Sequence, residues 1–228
     1  MDIYKWTLRL PAVLLVTGWM SLAGATGSEG QLCEPFRDAG VDSSLLATML
    51  DAARDGYLYR IQPDTSQVGF CVKTGFAEEV KGDFRDFKGG IALTPASLEV
   101  EASQAMIVIH TASLGTSNSV MENVIKGKQF FDVEHYPEIL FVSRGYEWTG
   151  RDTASITGDL TVHGVTRAVA FDVTLTPSEK SQDGVVDRML VKATTTIRRS
   201  DFEMDSLSQL VDDSVRLCMS VEVVRYTG

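Results

Sequence analysis

From Val68 onward the chain alternates apolar and polar positions with a period of two. Val68, Phe70 and Val72 are separated by Gly69 and Cys71, Ile107 and Ile109 lead toward Thr111, and Ile139 and Phe141 alternate with Leu140 and Val142. Val165, Val169, Phe171, Val173 and Leu175 share one parity, with Thr166, Asp172 and Thr174 on the other. Further runs cover Val191 to Ile197 and Val215 to Val223. Successive side chains of a strand point to opposite faces, so this spacing marks strands with one buried face. Gly, Asp, Asn and Ser punctuate the runs. The pattern predicts an all-β protein, an antiparallel sandwich or barrel.

Two segments depart from this period. Val41, Leu45, Leu46, Met49, Leu50 and Ala53 recur at helical spacing, with Asp42 or Ser43 to cap the start and Gly56 to end the turn. Ser119 to Lys126 (SVMENVIK) also lacks alternation, and a short helix there would cover one end of a barrel. Gly127 then releases the chain into Phe130-Phe131-Asp132-Val133. Ser178 to Gly184 (SEKSQDG) is a polar hairpin loop. His163-Gly164 falls between Val162 and Val165 as a two-residue hairpin connection, where Gly164 supplies a positive φ and histidine tolerates one.

The first residues are set apart from the fold. Lys5 and Arg9 precede an apolar run from Leu10 to Leu22, and Ala23-Gly24-Ala25 has the small residues that a signal peptidase cuts after. Pro11 and Gly18 interrupt a run already shorter than the roughly 20 apolar residues needed to span a bilayer. The expected organisation is an export signal over 1–25, a leader with an amphipathic helix over 26–56, and one β-domain over 57–228. A formal net charge of −10 argues against nucleic-acid binding and against docking on anionic lipid, both of which depend on Lys and Arg.

Catalytic and metal patterns are missing from the sequence. It carries no GxSxG, HExxH or GxxxxGK[ST] segment, and the three histidines, His110, His135 and His163, fall in different elements. Asp212-Asp213 and Glu78-Glu79 read as solvated turns, because neighbours on a strand face opposite ways. The expectation is a protein without an enzymatic site, a metal or a cofactor. Two alternatives stay open: a thiol- or lipid-dependent enzyme acting through Cys33, and a filled-core interaction module that uses the leader helix.

Several segments, in order, resemble the YceI-like family. Phe130 to Ile139 (FFDVEHYPEI) is similar to its FFDVexYPxI segment, and Gly158 to Thr166 (GDLTVHGVT) to its GDLTxHGVT hairpin. Val68-Gly69-Phe70, Asp83 to Phe87 before Gly89-Gly90, and Thr194 to Ile197 followed by Arg199-Ser200-Asp201-Phe202 add to the match, from about Tyr57 to Val224. The resemblance implies an exported, periplasmic, lipocalin-like closed antiparallel β-barrel that holds a long isoprenoid or similar lipid, such as a quinone or polyprenyl species. It also implies no reaction, and a homodimer. The chain departs from the family at Thr65 and Asn123, where histidine is frequent, and at Glu203, where glycine is common. Those departures alter any chemistry directed at a ligand's head.

Within such a barrel one parity points inward. That set is Val68, Phe70, Val72, Ile107, Ile109, Ile139, Phe141, Val169, Phe171, Val173, Leu217, Met219 and Val221. Phe84, Phe87, Tyr136 and His163 are candidates for the rim, with Phe130, Phe131 and Trp148 as further aromatics for the mouth. Cys71 and Cys218 have the outward parity on the first and last strands, which a closed barrel pairs. A Cys71–Cys218 disulfide is therefore expected, and the alternative joins Cys33 to one of them.

Overall fold

The alternating segments form ten strands and one α-helix in a computed structural model that describes residues 57–76, 79–93, 104–182 and 184–226. The export signal, the leader helix and Cys33 lie outside the described residues. In chain order the elements are β1 (Tyr57–Thr74), β2 (Val80–Phe84), β3 (Phe87–Leu93), β4 (Gln104–His110), β5 (Leu114–Thr116), α1 (Ser119–Lys126), β6 (Glu138–Trp148), β7 (Thr153–Val162), β8 (Val165–Lys180), β9 (Val186–Arg198) and β10 (Val211–Arg225).

All strand pairs are antiparallel, and β1 pairs with β10 from Tyr59–Arg225 to Thr74–Val211. That seam turns the sheet into a closed up-and-down barrel of eight strand positions. Two positions are each made of two short strands. β2 and β3 both pair with β1, and the chain breaks between them at Arg85-Asp86. β4 and β5 break at Thr111–Ser113, directly across from that gap. The two breaks satisfy one another: the His110 amide donates to Asp86 O at 2.9 Å, and the Arg85 amide donates to Ser113 Oγ at 3.2 Å.

β1 carries a second irregularity, at Pro63 to Ser66, where its register with β10 shifts. Proline has no N–H to give to the ladder. Fully buried Ser66 repairs the gap, its hydroxyl donating to Gln62 O at 2.6 Å and accepting from the Glu222 amide at 2.9 Å. Pro177 has a comparable effect in β8, where the register shifts between Pro177 and Glu179. The strand nonetheless runs to Lys180, so the polar loop is shorter than the sequence suggests.

The helix expected over Ser119 to Lys126 is α1, with the same bounds. Asn118 caps it, its Oδ1 accepting from the amides of Val120 at 2.9 Å and Met121 at 3.2 Å. Glu122 and Lys126 form an i,i+4 ion pair at 2.7 Å. Topology puts α1, the β1–β2 turn, the His163-Gly164 hairpin and the β9–β10 connection at one end of the barrel. The opposite end carries the β6–β7 and β8–β9 turns.

Arg199 holds the β9–β10 connection in place. It is buried, and its guanidinium donates to Asp212 O at 3.0 Å, Ser206 O at 2.7 Å, Val211 O at 3.0 Å and Met204 O. Glu203 and Leu207 in this connection have φ values of 60° and 56°, in the left-handed region. Glu203 therefore occupies a backbone position that glycine adopts without steric cost, which accounts for the glycine common there in the resembling family.

Candidate functional site

One parity of the strands faces a cavity of about 360 Å³, which opens at the α1 end. Val68, Phe70 and Val72 of β1, Ile107 and Ile109 of β4, Ile139 and Phe141 of β6, Phe171 of β8, and Leu217 and Met219 of β10 all line it, as their parity predicts. Val173 and Val221 point inward too, but line a second space of about 60 Å³ nearer the opposite end. Val169 lines neither and is only half-buried against the core.

The rim candidates divide. Phe84 lines the cavity beside Phe70 and Phe131, with the three rings 5.7–6.1 Å apart. Phe130 also lines it. Phe87 is wholly buried in the core and reaches no cavity. Trp148 ends β6, which places it at the opposite end of the barrel. Tyr136 and His163 lie at the open end yet turn toward one another, with ring centroids 4.3 Å apart. His163 has φ 52° and Gly164 φ 74°, as a two-residue hairpin corner requires. A Cβ on Gly164 would come within 2.6 Å of the Tyr136 ring. The two signature segments thus meet in a structural joint outside the cavity.

Residues that the strand pattern did not single out complete the wall. Leu160 and Val162 of β7 alternate with Asp159 and Thr161, a signal that was available in the sequence. Met121 and Ile125 of α1 close over the lumen, and Met204 and Leu207 enter from the connection held by Arg199. No periodicity marks those last two. Around the opening, Phe76, Val120 and Leu207 are 56%, 72% and 46% exposed, which gives the mouth an apolar edge.

The cavity wall is almost wholly hydrocarbon. Its polar residues are Thr74, Asn118 and Arg199. The Asn118 side-chain oxygen is committed to the helix cap, and Arg199 to four backbone carbonyls. Neither position where the resembling family often has histidine reaches the lumen. Thr65 donates to Glu222 Oε2 at 2.5 Å, and this bond, reinforced by Arg188, holds the Glu222 carboxyl below its ordinary pKa. Asn123 is on the exposed face of α1. Among the described residues, no group of three or more His, Cys, Asp or Glu converges as a metal site.

The expected Cys71–Cys218 bridge does not form. Cys71 is a thiol, whereas Cys218 is disulfide-bonded. Register explains why: Cys218 lies opposite Gly69, and Cys71 lies opposite Arg216. The two cysteines are thus diagonal neighbours, for which Cα atoms lie about 7–8 Å apart. A disulfide needs about 4.4–6.8 Å. Parity alone located the shared face but not the two-residue offset. Burial pushes the Cys71 thiol up to about 11, with Glu79 adding to the effect. Cys71 is therefore expected to resist alkylation by iodoacetamide at about pH 7.5 in the folded protein and to react fully once unfolded. Rapid labelling under native conditions, followed by peptide mapping, would contradict this.

A closed up-and-down barrel with an apolar lumen, open at one end beneath a short helix, defines a lipocalin-like binding barrel. This chain belongs to the YceI-like family: residues 59–223, more than half its length, match the YceI-like domain. It is 38% identical over 149 residues to a UPF0312 protein of Pseudomonas putida strain GB-1, covering 64% of this chain and 74% of that protein. Among solved structures it resembles the Campylobacter jejuni YceI protein, with a TM-score of 0.57 and 26% identity over 64% of this chain and 85% of the other. A polyisoprenoid-binding domain from Saccharophagus degradans, implicated in plant cell wall breakdown, shares the fold with a TM-score of 0.58. Its identity is 15%, over 74% of this chain and 98% of that one.

Proposed function

We propose that this protein is an exported, periplasmic lipid-binding protein that holds an isoprenoid-type chain, of the prenylated quinone or polyprenyl class, for carriage or storage. The apolar cavity of about 360 Å³ carries this reading. Binding there draws on burial of hydrocarbon, which stabilises a complex by roughly 0.8 kcal/mol per methylene. It requires no ion pair. The polar head stays at the mouth, beside Asn118 and the exposed edge of α1, while the wall encloses the tail. The polyisoprenoid-binding domain that shares this fold supports the same assignment.

Native mass spectrometry of protein purified under mild conditions tests it. The expected result is a single-ligand adduct, or uptake of one added prenyl alcohol per chain. The same intact mass is expected to correspond to cleavage after Ala25. Ligand-free protein that takes up no prenyl lipid would refute the binding role.

A further inference from the structure

The outer wall of the barrel is bare on one side and covered on the other. The outward residues Asp172 and Thr174 of β8, and Thr194 and Thr196 of β9, are exposed. Beside the β1–β10 seam, outward positions are buried instead. Leu58 of β1 and Ala92 of β3 are 4% and 1% exposed, and pack with Met106 of β4 and Tyr226 in a cluster separate from the lumen core. Further along the seam, Cys71 and Cys218 are also buried, with outward parity. Arg60 lies over the Tyr226 ring at 5.6 Å, and its Nε is buried without a hydrogen-bond partner among the described residues. The convex face of a barrel does not bury itself, because its side chains stand side by side and point away from the sheet. A second layer must lie over it.

Cys218 identifies that layer. It is disulfide-bonded and Cys71 is a thiol, and the chain has three cysteines, so Cys33 is the partner left. The reach fits. Tyr226 donates its amide to Leu58 O, and Cys218 lies about eight residues back along β10, roughly 26 Å at the rise of a strand. The helix that the sequence predicts from Val41 to Ala53 would span about 20 Å, and the residues between Cys33 and Val41 cover the rest. That segment carries the apolar stripe Val41, Leu45, Leu46, Met49 and Leu50, and it leads directly into β1 at Tyr57.

We propose that the leader from Cys33 to Gly56 is an arm of the barrel, joined to β10 by a Cys33–Cys218 disulfide and laid along the seam with its apolar stripe on Leu58, Ala92 and Met106. Forming the bond takes two electrons and two protons from the thiols. A disulfide-carrying oxidoreductase of an oxidising compartment accepts them and becomes a dithiol. The bond ties the segment entering the first strand to the last strand, so it staples the closing seam from outside and leaves the lumen free. The stripe is satisfied within the chain and is not a surface for a partner protein.

Peptide mapping of the full chain, expressed for export and kept unreduced, tests the bond, and a linked Cys33–Cys218 peptide is expected. Free Cys33, or Cys218 linked between two copies, would overturn the proposal. Cys33→Ser is expected to lower the thermal midpoint by about 10 °C. Reduction is expected to lower the unsubstituted protein equally and the variant no further. If the variant does not fold, reduction of the unsubstituted protein carries this measurement. Equal midpoints with and without the bond would overturn the staple. Docking is read at Met106, by peroxide oxidation and mass spectrometry. Leu46→Asp with Leu50→Asp is expected to raise its oxidation rate several-fold with the disulfide intact. An unchanged rate would put another segment, such as 94–103, over the patch and overturn the docking of the arm.

Discussion

Replacing Arg199 with methionine is expected to destabilise the barrel by about 3–5 kcal/mol, because several carbonyl acceptors lose their donor together and each buried group left unsatisfied costs about 1–3 kcal/mol. Methionine keeps much of the volume and none of the donors. Four carbonyls, those of Met204, Ser206, Val211 and Asp212, would lose the guanidinium at once. Met204 and Ser206 belong to the connection that brings Met204 and Leu207 to the cavity, and Val211 and Asp212 begin β10. Lysine is expected to recover little, because a single ammonium cannot reproduce the planar fork. Urea denaturation measures the loss, and a change below about 1 kcal/mol would show that water replaces the guanidinium.

Gly158→Val is the second large effect, and it tests the wall rather than the mouth. A new Cβ there would press into the Val142 carbonyl oxygen and lie 2.6 Å from the Phe141 ring. The ring can turn away, but the carbonyl belongs to the β6–β7 ladder and cannot. Overpacking of this kind typically costs about 1–3 kcal/mol, more when the backbone must move. The expected loss is therefore about 3 kcal/mol, with a lower thermal midpoint. Gly75→Ala serves as the control, since its Cβ would meet only Leu210 O at an ordinary 3.8 Å. Equal losses at the two glycines would argue against a steric origin.

The strands were legible because burial on one face imposes a period of two, and most of the inward set follows from that rule. α1 was legible for the opposite reason, as a segment in which the period fails. Three features were not. The edge-to-face contact of Phe141 with Phe171 depends on the rotamers of two residues that parity treats like any other inward position. Val169 has the inward parity but is only half-buried near the start of β8, and Phe87 packs into the core, so the pattern gave each a role it does not have. The cysteines show the limit most clearly. Parity put Cys71 and Cys218 on one face of adjoining strands, but the bulge at Pro63–Ser66 and the local register decide which residues lie opposite. His163 was readable as a corner from the glycine beside it. Its tilted ring contact with Tyr136, in a separate segment of the chain, was not.

The seam between β1 and β10 also governs how the molecule comes into being. It joins residues as far apart as Tyr59 and Arg225, and both strands supply wall to the lumen. Contacts so distant in sequence must offset the entropy of closing nearly the whole domain into a loop before they yield anything. Topologies dominated by such pairings fold in milliseconds to seconds rather than microseconds. Hairpins from β6 through β9 can assemble locally, but they form an open, curved sheet with an exposed apolar face. The binding chamber has no partial version: it comes into existence in the same late event that closes the ring.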